Sequence, residues 1–294
     1  MRTPHLTAAL LAASLLVAGA AGVAHSHPTT TDPAPVTAVN TATAAELDAY
    51  WTPERIAAAT EMPLPDPAAD LPGTNTAHGD PVSFDGAPAA EPHTQGLAEN
   101  EGRLLFSMPD GDYICSGTVV SADNRLLVAT ARHCGFGNGG TNYRFAPNYS
   151  AGATPFGWWD WASATWLPGE GITDDWAFLK FSPKDGRTLT DVVGSSGIGF
   201  NQGLDHYAHI YGIPGDTDVL THCEGQAYGG PDGQPLMDNC NGMSGGASGG
   251  AWVVNLQPDG TGMQVGTYFG SYGAAATGSY LGDVALEAYR GIQG

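Results

Sequence analysis

Thr130-Ala131-Arg132-His133-Cys134 sets a histidine beside a cysteine at the end of an apolar run, residues 126–129. Downstream, Gly246-Ala247-Ser248-Gly249-Gly250 sets a serine among glycines, directly before the apolar Ala251-Trp252-Val253-Val254. Between them lies Asp174-Asp175-Trp176-Ala177-Phe178-Leu179. A base, an acid and a hydroxyl thus follow in the order His, Asp, Ser, each at the margin of an expected strand. A serine hydroxyl is a weak nucleophile at neutral pH and needs a neighbouring base during attack. Imidazole titrates near neutrality, and a carboxylate on its second ring nitrogen fixes the tautomer.

The surrounding pattern supports strands. From Arg103 onward, short apolar runs alternate with turn residues: 104–106, 113–120, 126–129, 143–145, 158–166 and 176–181. Pro109-Asp110-Gly111-Asp112 and Ala122-Asp123-Asn124 supply turns. After a polar link over 182–191, runs return at 206–212, 219–227, 251–256 and 263–269. Many short strands, 42 glycines and little helical periodicity predict an all-β barrel or sandwich. The exception is residues 280–289, where Leu281, Val284, Ala285, Ala288 and Tyr289 predict a short C-terminal helix. No internal repeat is visible.

The N-terminus reads differently. Residues 1–24 join a short basic start to an Ala- and Leu-rich apolar stretch with small residues at its end, the pattern of a secretory signal peptide. A membrane anchor is the competing reading, disfavoured by the stretch's alanine content and missing charged stop. Residues 25–98 are rich in Pro, Ala, Thr and Asp and poor in apolar runs, which predicts a largely extended or disordered region. It is expected to be a propeptide or a retained N-terminal extension. Within it, Thr52 is placed to cap a helix with Pro53 in its first turn, and Trp51 and Ile56 are placed to dock on a surface.

Four cysteines, Cys115, Cys134, Cys223 and Cys240, pair evenly in an oxidising compartment, and sequence alone permits three pairings. None are spaced as metal-binding Cys-x-x-Cys. The formal net charge of −20, with Lys180 and Lys184 as the two lysines, disfavours nucleic acid and anionic membranes as partners.

Residues from about Arg103 to the C-terminus resemble the trypsin/chymotrypsin-like serine peptidases, especially the secreted bacterial members. His133 matches the Thr-Ala-Ala-His-Cys motif except at Arg132. Asp175 matches the Asp-hydrophobic-Ala-hydrophobic-Leu motif, and Ser248 matches Gly-Asp-Ser-Gly-Gly with Ala247 replacing the acid. The resemblance implies two packed six-stranded β-barrels over residues 99–294. It implies a His133–Asp175–Ser248 triad, an oxyanion hole from the backbone N–H groups of Gly246 and Ser248, and the disulfide Cys115–Cys134, which leaves Cys223–Cys240. The expected activity is that of a secreted, monomeric serine endopeptidase acting on protein or peptide substrates, with no cofactor and no metal. An inactive protease-like binding protein and an esterase using the same triad are the alternatives.

Several choices compete locally. Asp174 precedes Asp175 and is expected to be a solvated turn residue. Gly242-Met243-Ser244-Gly245-Gly246 also satisfies Gly-x-Ser-Gly-Gly, but only Ser248 is followed directly by an apolar run. Ala247 removes the carboxylate that trypsin uses to bind its new N-terminus, and no Ile-Val-Gly-Gly start is present. Gly242 and Met243 at the expected pocket base carry no charge, and residues 265–270 are expected to form a wall, so an apolar or small side chain is the expected preference. His206 and His209 fall three apart on one expected strand, hence on opposite faces, which disfavours a metal there.

Overall fold

The computed structural model describes residues 34–64, 79–91, 97–169 and 171–293. The expected signal peptide lies outside them. The described part of 25–98, by contrast, is folded against the rest. Strand β1 (Val36–Val39) pairs antiparallel with residues 163–166. Helix α1 (Ala44–Tyr50) begins with a capping box. Thr43 Oγ1 accepts the Glu46 N–H and Glu46 Oε2 accepts the Thr43 N–H. Helix α2 (Pro53–Ala58) starts as its residues predict, with Thr52 accepting from Arg55 N–H and Pro53 in the first turn. Composition misreads this stretch because its few apolar residues are well placed. Leu47 and Trp51 are buried, and the Trp51 indole N–H donates to Asn142 O at 2.7 Å. Strands β2 (Thr60–Glu61) and β3 (Val82–Phe84) complete the N-terminal elements.

The first barrel uses β4 (Glu101–Met108), β5 (Gly111–Val120), β6 (Leu127–Thr130), β7 (Thr141–Pro147), β8 (Trp159–Trp166) and β9 (Ala177–Phe181). Their order is β8-β7-β4-β5-β6-β9, closed by β8–β9, all antiparallel. The β4–β5 hairpin turns at Pro109-Asp110, and its register runs from Met108↔Gly111 to Glu101↔Thr118. β2 adds to the β5 edge in parallel.

After α3 (Leu189–Val193), which lies at the end of the expected polar link, comes β10 (Gly197–Phe200). The second barrel uses β11 (Tyr207–Gly212), β12 (Thr221–Gly229), β13 (Pro235–Met237), β14 (Ala251–Val254), β15 (Met263–Tyr272) and β16 (Ala275–Gly278). The order β14-β11-β12-β13-β16-β15 is closed by β14–β15, with β10 and then β3 extending it from β15. Closure removes the exposed edges that open sheets present. The result is two closed six-stranded antiparallel barrels, the chymotrypsin-like fold that the resemblance implies.

Each barrel has its own apolar filling. Leu104, Phe106, Phe145, Trp161 and Phe181 fill the first, and Ala208, Ile210, Met237, Trp252 and Tyr268 the second. A further cluster joins Phe178 and Phe200 to the C-terminal helix α4 (Asp283–Ile292), through Ala285, Ala288 and Tyr289. Each fully buried large side chain contributes roughly 1.5–3 kcal/mol of transfer free energy. Both disulfides, Cys115–Cys134 and Cys223–Cys240, are formed.

Candidate active site

His133 follows β6, and Asp175 ends the 3-10 turn Ile172–Asp174 just before β9. Because β6 and β9 are paired with Thr130 opposite Ala177, the two side chains emerge side by side at one barrel rim. Asp175 Oδ2 lies 2.6 Å from His133 Nδ1, and Asp175 Oδ1 accepts the His133 backbone N–H at 2.8 Å. An ionised carboxylate only accepts, so Nδ1 carries the proton and Nε2 is left to act as base.

Asp175 is wholly buried. Burial, the largest single influence, pushes its carboxyl upward. The charge and hydrogen bonds of His133, together with the Arg132 guanidinium 3.6 Å from Oδ1, outweigh burial and hold it below the ordinary value. Asp175 is therefore ionised where the histidine works. Asp174 is not solvated, as its turn position suggests, but buried at 3% exposure.

Ser248 enters from the other barrel, immediately before β14. Its carbonyl accepts the Ser116 N–H at 2.7 Å, and the next residue, Gly249, donates to Tyr268 O at 2.8 Å. Gly249 has φ of 84°, and a Cβ on it would strike Thr130 Oγ1 and lie 2.8 Å from Ala131 N. Glycine is required here on two counts, left-handed backbone and close approach, so the serine loop presses against the turn that carries His133. His133 Nε2 and Ser248 Oγ are both shielded from water and make no hydrogen bond among the described residues. The fold thus pairs His133 with Asp175 and brings the Ser248 loop to them, without a hydrogen bond between His133 Nε2 and Ser248 Oγ.

Gly246 has φ of 86°, and its carbonyl accepts from Ser116 Oγ at 2.9 Å. Among the described residues no acceptor takes the N–H of Gly246 or of Ser248, which leaves both donors available to a developing oxyanion. Buried Arg103 braces this corner. Its guanidinium donates to Ile213 O at 2.6 Å, Pro214 O at 3.3 Å and Asp218 Oδ1 at 2.8 Å. Sequence reasoning passed over Arg103, because it stands in an apolar run with no motif around it.

The competing serine is accounted for elsewhere. Ser244 Oγ donates to Asp216 Oδ1 at 2.8 Å. Ala247 is buried against the Gly212 backbone within the second barrel's apolar cluster, so no ion pair forms at that position. Met243 and Tyr268 lie buried in this same uncharged, apolar cluster. Phe269 stands edge-on to the His133 ring, centroids 5.4 Å apart. A cavity of about 750 Å³ lined by Phe84, Gly194, Asp259 and Met263 includes none of His133, Asp175 or Ser248.

A second cluster of ligating groups lies on β11 and β12. His209 Nδ1 is 3.0 Å from His222 Nε2 and 3.1 Å from Glu224 Oε2. Two imidazoles and a carboxylate are a donor set suited to a divalent ion. Sequence spacing directed attention to His206 and His209, whereas the partners of His209 come from the neighbouring strand, where Glu224 is its register partner.

No family model and no curated protein matches this chain. Two solved structures are similar to it at 29% sequence identity and a TM-score of 0.62. One is a thermostable serine protease, AL20, from an extremophilic microorganism, covering 67% of this chain and 97% of that one. The other is the protease Anisep from Arthrobacter nicotinovorans, covering 72% of this chain and 99% of that one.

Proposed function

We propose that this chain, which has the chymotrypsin-like serine peptidase fold, is a secreted serine endopeptidase working through an acyl-enzyme. One observation carries the reading. A fully buried carboxylate orients His133 at 2.6 Å, and the turn holding that histidine is pressed against the loop that presents Ser248. In the proposed mechanism Ser248 Oγ adds to the scissile carbonyl carbon as its proton passes to His133 Nε2. Asp175 keeps Nδ1–H oriented and stabilises the imidazolium. The N–H groups of Gly246 and Ser248 hold the oxyanion, a contribution of about 100- to 1,000-fold in rate per donor in such sites. The imidazolium then protonates the leaving amine, and water repeats the sequence on the acyl ester.

The formed disulfides support an oxidising destination, in agreement with the signal-type N-terminus. Region 25–98 is read as a propeptide or a retained extension, with any removal ending before β3. The pairing of β3 with β10 favours retention of residues 82–84 in the mature domain. The protein is read as a monomer needing no cofactor. The apolar surroundings of Met243 favour uncharged residues at the cleaved position.

A second reading, a binding protein on the same frame, is favoured by the missing hydrogen bond between His133 Nε2 and Ser248 Oγ. Such bonds are often long in unliganded enzymes and tighten with substrate, which keeps the catalytic reading ahead. Exhaustive incubation with a fluorophosphonate probe, alongside turnover of a mixed peptide library, separates the two. The enzyme labels on Ser248, and Ser248→Ala abolishes both label and peptide cleavage. Cleavage surviving Ser248→Ala overturns the triad, ester turnover alone favours an esterase, and an unlabelled chain favours the binder.

A further inference from the structure

A short segment of the chain itself runs past the loop that presents Ser248. Residues 60–64 leave α2 and run along the free edge of β5. Thr60 and Glu61 pair in parallel with Tyr113 and Ile114, and the Met62 N–H donates to Ile114 O at 3.1 Å. This is the edge that continues, two residues on, into Ser116, whose N–H holds the Ser248 carbonyl. The Glu61 side chain then lies over two glycines on the opposite bank. A Cβ on Gly215 would strike Glu61 Cγ, and one on Gly245 would lie 2.6 Å from Glu61 Oε2 and 3.2 Å from Met62 O. Gly245 immediately precedes the proposed oxyanion donor Gly246, and Gly215 is tied to it by a hydrogen bond of 2.8 Å.

Farther along, the segment reaches the pocket side. Met62 packs on the first barrel's apolar cluster and Leu64 on the second's, the cluster that holds Met243 and Tyr268. Leu64 Cβ would lie 3.6 Å from a Cβ on Gly270, next to Phe269 on the strand that flanks His133. The segment therefore bridges both barrels, in extended form, across the elements that present Ser248, Gly246 and His133. Ser248 has no exposure, although a nucleophile must meet substrate.

We propose that Thr60–Leu64 is a built-in inhibitory strap: a peptide-like segment that fills the substrate groove, seats Leu64 at the apolar pocket and keeps the site closed until it is displaced. The proposal rests on the catalytic reading of that groove. It also specifies the ligand class, an extended peptide with an aliphatic side chain on the Met243–Tyr268 side. Charged Glu61 occupies a glycine-lined position, where space and not apolar contact is the requirement.

The test uses the full chain and its variants Leu64→Asp and Glu61→Gly, which remove the apolar anchor and the side chain filling the glycine-lined bank. Neither residue belongs to the catalytic machinery. The rate of fluorophosphonate labelling at Ser248 is read together with hydrogen exchange at the Met62 amide and the melting temperature. A site that is open only in a minor fraction reacts in proportion to that fraction. Both variants are therefore expected to label about tenfold faster or more, with faster exchange at Met62 and an unchanged melting transition. Equal labelling rates in parent and variants, with Ser248→Ala unlabelled, would overturn the strap while leaving the enzyme intact. Faster exchange at Met62 with no label in any variant would overturn the catalytic reading, and inhibition with it.

Discussion

Arg132 stands where the resembled motif has alanine, and its position explains what it does. Its guanidinium approaches Asp175 Oδ1 at 3.6 Å in a corner closed to water, adding a cation to a carboxylate already held by His133. Because the folded-state value of Asp175 is depressed, the stability linked to it is present above the unfolded value, about 3.9. It is lost as pH falls through the folded value. Arg132→Ala removes one of the depressing influences. It is expected to cost about 1–3 kcal/mol at pH 7, the range for a charge-assisted interaction. The deficit should shrink to nothing once both forms are protonated at strongly acidic pH. Urea unfolding of parent and variant from pH 2 to 7 measures this, and a deficit independent of pH would assign Arg132 a packing role only. At this scale the apolar-Ala continuation after Asp175 marks the carboxylate that pairs with His133, and the strand after Gly250 is the sequence reason for proposing Ser248 over Ser244. The burial of Asp174 was not legible, because it depends on the 3-10 turn folding inward beneath the barrel rim.

Among elements, legibility follows side-chain size. β4 to β9, β11, β14 and β15 carry branched and aromatic residues that announce strands. β10, β13 and β16 are built on Gly197-Ile198-Gly199-Phe200, Pro235-Leu236-Met237 and Ala275-Ala276-Thr277-Gly278, which local propensity assigns to turns; only partners across the barrel make them strands. The N-terminal elements escaped for a related reason, since composition averages over residues 34–64 while docking depends on Leu47 and Trp51. Trp51 is 3% exposed and anchors α1 and α2 to β7 through Asn142. Trp51→Ala is expected to weaken that docking by about 3–5 kcal/mol, the range for emptying a buried tryptophan site. Because segments open locally, the loss should appear as exchange faster by a hundredfold or more at amides 47–56, with barrel amides unchanged. Unprotected amides already in the parent would mean that the helices are not docked.

For the whole molecule, charge and burial meet at Glu101. The chain carries a formal −20, and most of its carboxylates stand in water, yet Glu101 is 3% exposed between the barrels' strands. Burial drives its carboxyl up to about 8, against smaller lowering by the Thr118 hydroxyl and the Ala251 backbone. A raised value in the folded state means that the native chain keeps a proton which the unfolded chain releases near pH 4.3. Stability should therefore fall as pH rises between those two values, by about 1.4 kcal/mol per unit where the difference is a full proton, and level off above pH 8. General repulsion among carboxylates acts in the same direction but is complete by pH 6, and burial lowers His206 and His222, which makes stability rise with pH, so a falling slope from 6 to 8 belongs to Glu101. Glu101→Gln keeps the shape and the Thr118 contact while discarding the proton equilibrium. The variant should match the parent near pH 4, exceed it by a few kcal/mol at pH 8, and lose the falling slope between. Urea midpoints of the disulfide-intact chain at pH 4, 5, 6, 7 and 8 decide it. An equal slope in both proteins would place the titrating group elsewhere and leave Glu101 ionised within its strand.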